Sequence, residues 1–212
     1  MDTVQLIIFL LEIIGTIAFA VSGAMVGAEK HMDLLGVTIL GVIVAVGGGM
    51  LRDIVLGLVP AALTNPVYTM IAIGVSLLIF ALFYGGEKAF VQRWSPFYEK
   101  IMLFMDAIGL GIFTVVGISV GMREGFADST FLLVFLGVIT GVGGGLLRDM
   151  MASVPPYIFT RHIYASASIL GALLYIGLYR TAGELPALIF SPLFVVALRM
   201  ISAKYKLNLP RL

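Results

Sequence analysis

Long runs of apolar residues recur along the chain, and short segments carrying proline, glycine or charged residues separate them. An apolar run of about 18 residues or more is long enough to cross the hydrocarbon core of a bilayer as one helix. The pattern predicts seven membrane-spanning helices, at residues 4–27, 34–58, 66–85, 101–122, 129–153, 159–179 and 186–204. The predicted fold class is therefore an all-α polytopic membrane protein, with residues 1–212 forming a single membrane domain.

Composition supports this fold class and narrows the function. Of the 212 residues, 60% are hydrophobic and only 12% are charged, and the mean hydropathy is +1.10. A net charge of +1 argues against a nucleic-acid partner, and the absence of cysteine excludes disulfides and thiolate metal sites. The N-terminal sequence MDTVQ lacks the basic region of a signal peptide, so the first apolar run is predicted to be a retained span.

Basic residues near the span ends predict the orientation, because cytoplasmic loops are enriched in Lys and Arg. With the N-terminus outside and the C-terminus in the cytoplasm, nine basic residues face the cytoplasm and two face outward. The cytoplasmic set is Lys30, Lys88, Arg93, Lys100, Arg161, Arg199, Lys204, Lys206 and Arg211, and the outer set is Arg123 and Arg180. Aromatic residues Tyr84, Trp94 and Tyr98 are expected at the membrane interface beside a loop at 86–100.

One motif occurs twice, as VGGGMLRD at 46–53 and VGGGLLRD at 142–149. The repeat extends further, since residues 11–29 align with 105–123 at an offset of 94 while the motifs align at an offset of 96. Each unit contains three spans, and an odd number inserts the second copy upside down. The sequence thus predicts a 3+3 inverted repeat with one added helix, an arrangement that places polar pathways between the halves. The repeats are residues 4–85 and 101–179, and the seventh helix is 186–204.

The glycine triplets Gly47, Gly48, Gly49 and Gly143, Gly144, Gly145 lie inside the second and fifth spans. Each glycine costs a helix about 1 kcal/mol relative to alanine, so a bend or an unwound turn is expected at each triplet. Unwound backbone at membrane depth must be buried in protein or line a wet cavity. The alternative is that the triplets serve close helix packing.

Six ionisable residues are predicted at membrane depth, where an unpaired charge costs at least about 2.5 kcal/mol. They are Glu12, Arg52, Asp53, Asp106, Arg148 and Asp149. Neighbouring residues on a helix point roughly 100° apart, so Arg52 and Asp53 are not expected to pair with each other. Depth instead predicts an outer cluster of Glu12 with Arg52 and Asp53, and an inner cluster of Asp106 with Arg148 and Asp149.

These charges allow two interpretations, which can coexist: ion pairs that fix helix packing, and the wall of a polar pathway. Four carboxylates against two guanidiniums favour a cation over an anion in such a pathway. The sequence has no HExxH, GxSxG or P-loop motif, so we expect neither an enzyme nor a cofactor. His31 and His162 belong to no metal-binding pattern, and no metal site is expected.

The doubled GGGxxRD signature within a three-plus-three-plus-one arrangement resembles the prokaryotic branch of the trimeric intracellular cation (TRIC) channels, which is also classed as a bacterial glycine transporter family. The resemblance covers about residues 5–205. It implies a homotrimer in the plasma membrane, with membrane lipids as neighbours and one pore per protomer. It also implies that the first, second, fourth and fifth helices line the pore, that the second and fifth are kinked at the glycine triplets, and that K⁺ permeates in preference to Na⁺.

Animal members carry a lysine beside the second-helix kink that binds phosphoinositides, and this chain has Met50, Leu51 and Arg52 there. Regulation by phosphoinositides is therefore not expected. The fold alone does not separate a cation channel from a secondary transporter of a small zwitterion such as glycine, because inverted repeats serve both. A structural or lipid-binding membrane protein is a third interpretation.

Overall fold

The computed structural model describes residues 2–84, 88–160 and 163–207, without the side chains of 88–96 and 160. Its secondary structure is helical throughout. The helices are α1 (Thr3–Glu29), α2 (Leu34–Val55), α3 (Ala61–Thr64), α4 (Val67–Tyr84), α5 (Lys88–Gly121), α6 (Thr130–Met151), α7 (Tyr157–Thr160), α8 (Ala165–Ala182) and α9 (Glu184–Lys204). One π-helical turn, Met122–Phe126, follows α5.

Six helices in the described part of the chain are long and apolar enough to cross a membrane, so the protein is a multi-pass membrane protein. They are α1, α2, α4, α6, α9 and the Phe97–Phe126 part of α5 with its π-helical turn. Helix α8 covers most of the predicted span 159–179 but is not among these six, so the count of seven remains a prediction.

The predicted loop at 86–100 is wrong from residue 88 onward, because α5 already begins at Lys88. Hydropathy marks where a chain enters the bilayer, whereas a helix can continue into water. Tyr98 therefore lies on α5, and its hydroxyl donates to the Met25 carbonyl oxygen at 2.7 Å and to Glu29 Oε2 at 3.1 Å. Other predictions concern Arg161, His162 and Arg211, which lie outside the described residues. The predicted roles of Lys88, Arg93 and Trp94 depend on side chains that the structure does not describe.

Four helices form the centre of the molecule, with α1 packed on α2 and α5, and α6 packed on α2 and α5. Helix α4 covers α1 and α2, whereas α8 and α9 cover α5 and α6. The α1–α5 contact is reciprocal: a Cβ at Gly15 would lie 3.1 Å from the Phe113 ring, and one at Gly109 would overlap the Phe19 ring. The order of these contacts makes α1 and α5 antiparallel.

The glycine triplets form the crossing of α2 and α6. A Cβ at Gly48 would overlap the carbonyl oxygen of Thr140, and a Cβ at Gly144 would overlap that of Val44. The same order of contacts makes α2 and α6 antiparallel. Close backbone approach is thus one use of these glycines, as the packing alternative requires.

Both motif helices remain helical at every residue from 34 to 55 and from 130 to 151. The predicted unwound turn is therefore not formed in α2 or α6, since the helix backbone continues through each triplet. A bend within a continuous helix remains a prediction.

Candidate functional site

The two Arg-Asp pairs end α2 and α6 in the same way. After α2, Gly57 has φ +70° and the Leu58 N–H donates to the Asp53 carbonyl oxygen at 2.8 Å. After α6, Ser153 has φ +55° and the Val154 N–H donates to the Asp149 carbonyl oxygen at 3.0 Å. A left-handed residue that closes such a bond is a common helix stop. It turns the chain back over the end of each motif helix.

The turned chain holds each aspartate. The Ala61 N–H donates to Asp53 Oδ2 at 2.9 Å, and the Tyr157 N–H donates to Asp149 Oδ2 at 2.7 Å. Both carboxylates are almost fully buried. One oxygen of each is thereby bound to backbone, which leaves the other oxygen for a side chain.

The arginines take that other oxygen, so the expectation that motif neighbours do not pair is wrong. Arg52 Nε donates to Asp53 Oδ1 at 2.8 Å, and Arg148 Nε donates to Asp149 Oδ1 at 2.9 Å. The angular offset of adjacent helical positions applies to the Cβ atoms, whereas an arginine side chain is long enough to fold back across it.

The first cluster, defined as Glu12, Arg52, Asp53 and Tyr68, surrounds a small cavity. This cavity, of about 50 Å³, is also lined by Thr16, and its volume is sufficient for a few water molecules. Tyr68 Oη donates to Glu12 Oε2 at 2.5 Å. The predicted ion pair between Glu12 and Arg52 is not formed among the described residues, because the tyrosine binds Glu12 and Asp53 holds the arginine. The two side chains share the cavity instead.

The second cluster, defined as Asp106, Arg148, Asp149 and Arg199, is almost fully buried. The structure brings together Asp106, Arg148 and Asp149: Arg148 Nη1 lies 2.7 Å from Asp106 Oδ1 while its Nε binds Asp149. Arg148 Nη1 also donates to Ser22 Oγ at 2.5 Å, and the Arg148 side chain is 0% exposed. In this cluster the motif arginine binds side chains on other helices, whereas within the described residues the hydrogen bond of Arg52 is to its neighbour Asp53.

Arg199 is the cluster member that sequence reasoning missed. Assigned to the basic cytoplasmic flank, it is instead fully buried, with Nη2 4.0 Å from Asp106 Oδ2 and Cζ 4.6 Å above the Tyr164 ring. Its place inside the predicted span 186–204 was the available signal, since a charge at that depth requires a partner.

Arg199 also changes the predicted ratio of four carboxylates to two guanidiniums at membrane depth. The second cluster contains two carboxylates and two guanidiniums, whereas the first contains two carboxylates and one guanidinium. The excess of carboxylates at these sites is therefore one, and it belongs to the first cluster.

A second cavity, of about 350 Å³, lies at the other end of the four central helices and is lined by Glu29, Lys30, Asp149 and Tyr157. None of the described residues lines both cavities. Along α1 they are separated by Phe19 and Ser22, which are 1% and 0% exposed, and the Phe19 ring lies 5.3 Å from that of Phe113. Two cavities thus approach a buried centre from opposite ends.

Within the described residues no group of three His, Cys, Asp or Glu side chains could hold a metal ion. The arrangement offers charged and polar side chains to a small hydrated solute.

Fold and site together define a multi-pass helical membrane protein with a polar cavity toward each end. A family model described as "Glycine transporter" matches residues 9–84 and 103–180. The chain belongs to this family.

Relatives support the assignment. The UPF0126 inner membrane protein YadS of Escherichia coli K12 is 32% identical over 209 residues, which cover 97% of this chain and 96% of YadS. The TRIC trimeric intracellular cation channel orthologue from Rhodobacter sphaeroides has 30% identity and a TM-score of 0.82, and the match covers 94% of this chain and 98% of the orthologue's chain. A prokaryotic TRIC channel crystallised in 0.5 M KCl has 32% identity and a TM-score of 0.85, and the match covers 97% of this chain and 100% of that channel's chain. The predicted relation to prokaryotic TRIC channels is confirmed.

Proposed function

We propose that this protein is a channel for monovalent cations, with K⁺ preferred over Na⁺ and one pathway in each protomer of a homotrimer. The pathway runs between α1, α2, α5 and α6, which are the first, second, fourth and fifth spans of the sequence prediction. The two polar cavities at opposite ends of these four helices are the observation that carries the proposal. The similarity to solved TRIC cation channels across almost the whole chain supports it.

The charge in the first cavity supports a cation rather than an anion. Glu12 and Asp53 line this cavity with one guanidinium, that of Arg52. Asp53 neutralises Arg52 at 2.7 Å, which leaves the Glu12 carboxylate as the uncompensated charge facing the solute. A carboxylate at the mouth of a narrow polar passage attracts cations and repels anions.

The finer architecture belongs to the same proposal. Helix α8 is the seventh span, since its 18 residues would measure about 27 Å along the axis. The halves at 4–85 and 101–179 are inverted repeats, which the antiparallel α1–α5 and α2–α6 contacts support. The N-terminus lies outside, and the motif helices bend at their glycine triplets when the pathway opens.

The second candidate is a secondary transporter of a small zwitterion such as glycine. The description of the matching family favours it. So does the closed centre between two cavities, because a carrier exposes its site to one side at a time. The Arg52 guanidinium in the first cavity could receive a substrate carboxylate.

Reconstitution of the purified protein separates the two candidates. In a planar bilayer with asymmetric KCl, we expect unitary current steps that reverse near the K⁺ equilibrium potential. An electrically silent protein that instead catalyses saturable glycine uptake, driven by a Na⁺ or proton gradient in proteoliposomes, would establish the transporter and refute the channel.

A further inference from the structure

Equivalent residues of the two halves have different partners. The repeat offsets pair Glu12 with Asp106 and Tyr68 with Tyr164. In the first half Tyr68 donates to Glu12, and the motif arginine stays on its neighbouring aspartate. In the second half Arg148 crosses to Asp106, and no hydrogen bond to the Tyr164 hydroxyl is found in the described part of the chain. Within the repeat, Ser22 corresponds to Val116, which offers no side-chain acceptor to the motif arginine of the first half. Outside the repeat, a side chain of α9 can favour the second arrangement.

Arg199 of α9 lies where it can do this. Its guanidinium lies over the Tyr164 ring at 4.6 Å and 4.0 Å from Asp106 Oδ2, and its helix packs directly on α5. Helix α9 belongs to neither repeat, and in the described residues the first cluster contains no second arginine. Arg199 thus supplies the charge by which the two clusters differ.

We propose that Arg199 is a positioning residue that keeps the second half of the pathway closed, by holding Asp106 against Arg148. Without Arg199 the second cluster has the charge count of the first, two carboxylates with one guanidinium. It then adopts the arrangement of the first: Arg148 stays on Asp149, and Tyr164 donates to Asp106. The contact of Arg148 with Asp106 and Ser22 opens, and the second cavity extends toward Ser22.

The inference rests on the proposed route between α1, α2, α5 and α6, and it holds whether the solute is a cation or a zwitterion. It places the determinant of closure on a helix outside the repeat. The contact of Arg148 with Asp106 and Ser22, which closes the second half, is then a property of α9 and not of the repeated motif.

Cysteine accessibility tests the inference, because the natural chain contains no cysteine and one introduced thiol reports alone. The reporter is Ser22→Cys, at a position that is 0% exposed between the two cavities. A membrane-impermeant thiol reagent is added to sealed vesicles from the face that carries Lys30, and separately from the other face. The reporter is combined with Arg199→Met, Arg199→Lys or Arg180→Met, the last a matched control because Arg180 is exposed on neighbouring α8.

We expect slow labelling in the parent reporter and in the Arg180→Met control. Arg199→Met should label about tenfold faster from the Lys30 face, which corresponds to about 1.4 kcal/mol in favour of the closed arrangement. Arg199→Lys keeps the charge and should return the rate most of the way toward the parent. A fast parent reporter, an unchanged rate in Arg199→Met, or equal acceleration by Arg180→Met would overturn the inference.

Should Arg199→Met fail to give a monodisperse protein, Arg199→Lys decides, since loss of the planar guanidinium alone should accelerate labelling about threefold. A rate equal to that of the parent would then overturn the inference. Because labelling needs neither current nor uptake, a failure of the proposed function leaves this result interpretable.

Discussion

The two motif arginines occupy equivalent positions of the repeated motif, but the loss of each should have a different effect on stability. Arg148 is fully buried between Asp106 and Asp149, whereas Arg52 is held by Asp53 and lines a cavity large enough for water. Deleting one partner of a buried pair leaves a buried charge and costs about 3–5 kcal/mol. Arg148→Ala should therefore lower the melting temperature in detergent much more than Arg52→Ala, which we expect to cost below about 2 kcal/mol. Equal losses in the two variants would show that the deeper burial of the second cluster adds nothing to the cost.

The two equivalent tyrosines give a second matched test at this scale. Tyr68→Phe removes the hydroxyl that donates to Glu12 and should cost about 1–2 kcal/mol. Tyr164→Phe removes a hydroxyl for which the described residues provide no hydrogen bond, so its melting temperature should remain close to that of the parent. Thermal unfolding of both variants in one detergent checks the difference, and a larger loss for Tyr164→Phe would contradict it.

Sequence reasoning located the charged side chains and correctly grouped Asp106 with Arg148 and Asp149, but it missed the pairing of motif neighbours and the contact of Glu12 with Tyr68. The free-energy cost of burying a charge identified Arg52, Arg148 and Asp106 as residues that require a charged or polar partner, because this cost applies anywhere in the hydrocarbon core. Which carboxylate an arginine meets depends on its side-chain rotamers and on the turn that follows the helix, and neither is encoded in spacing. Arg199 was misassigned because a basic residue near the end of a span fits both a topology signal and a buried partner.

At the scale of the helix, the glycine crossing predicts a strong effect of one methyl group. The Cβ atoms of Gly48→Ala and Gly144→Ala would overlap the carbonyl oxygens of Thr140 and Val44, so α2 and α6 must move apart. Overpacking of this kind costs about 1–3 kcal/mol. Both variants should unfold at lower temperature and, in the bilayer assay, carry less current.

Gly74 on α4 provides the matched control for these substitutions. A Cβ there meets nothing within 4 Å, so Gly74→Ala should keep or raise stability because alanine favours the helix. Unchanged melting temperatures in the Gly48 and Gly144 variants would mean that the crossing is looser than described.

Helix positions could be predicted because a membrane span requires an apolar run of a certain length, and such runs can be read from the sequence. The predicted 34–58 and 129–153 correspond to α2 and α6, which end at Val55 and Met151. The start of α5 could not be predicted in this way, because residues 88–100 are helical but polar. A hydropathy profile detects apolar spans and gives no signal for a polar helical segment. Of the structures predicted at the glycine triplets, the unwound turn is not formed, because α2 and α6 remain continuous helices there. The close packing given as the alternative is present.

At the scale of the whole molecule, the single excess carboxylate predicts ion selectivity. Glu12→Gln removes the uncompensated charge of the first cavity while keeping the shape of the side chain. In the bilayer assay, the reversal potential in asymmetric KCl should then shift toward zero, because anions are no longer repelled. Asp128→Asn, which neutralises an exposed carboxylate beyond α5, should leave the reversal potential unchanged. A shift of equal size in both variants would point to surface charge and not to the cavity.

The reciprocal contacts of α1 with α5 have a consequence for the origin of the chain. Phe19 packs on Gly109 and Phe113 on Gly15, so each half offers the other the same complementary surface. Under the proposed inversion, a gene of half this length could have built both interfaces by inserting its product in two opposite orientations and dimerising. Fusion of two such genes would free each half to diverge, and an appended helix could then make one face of the membrane differ from the other.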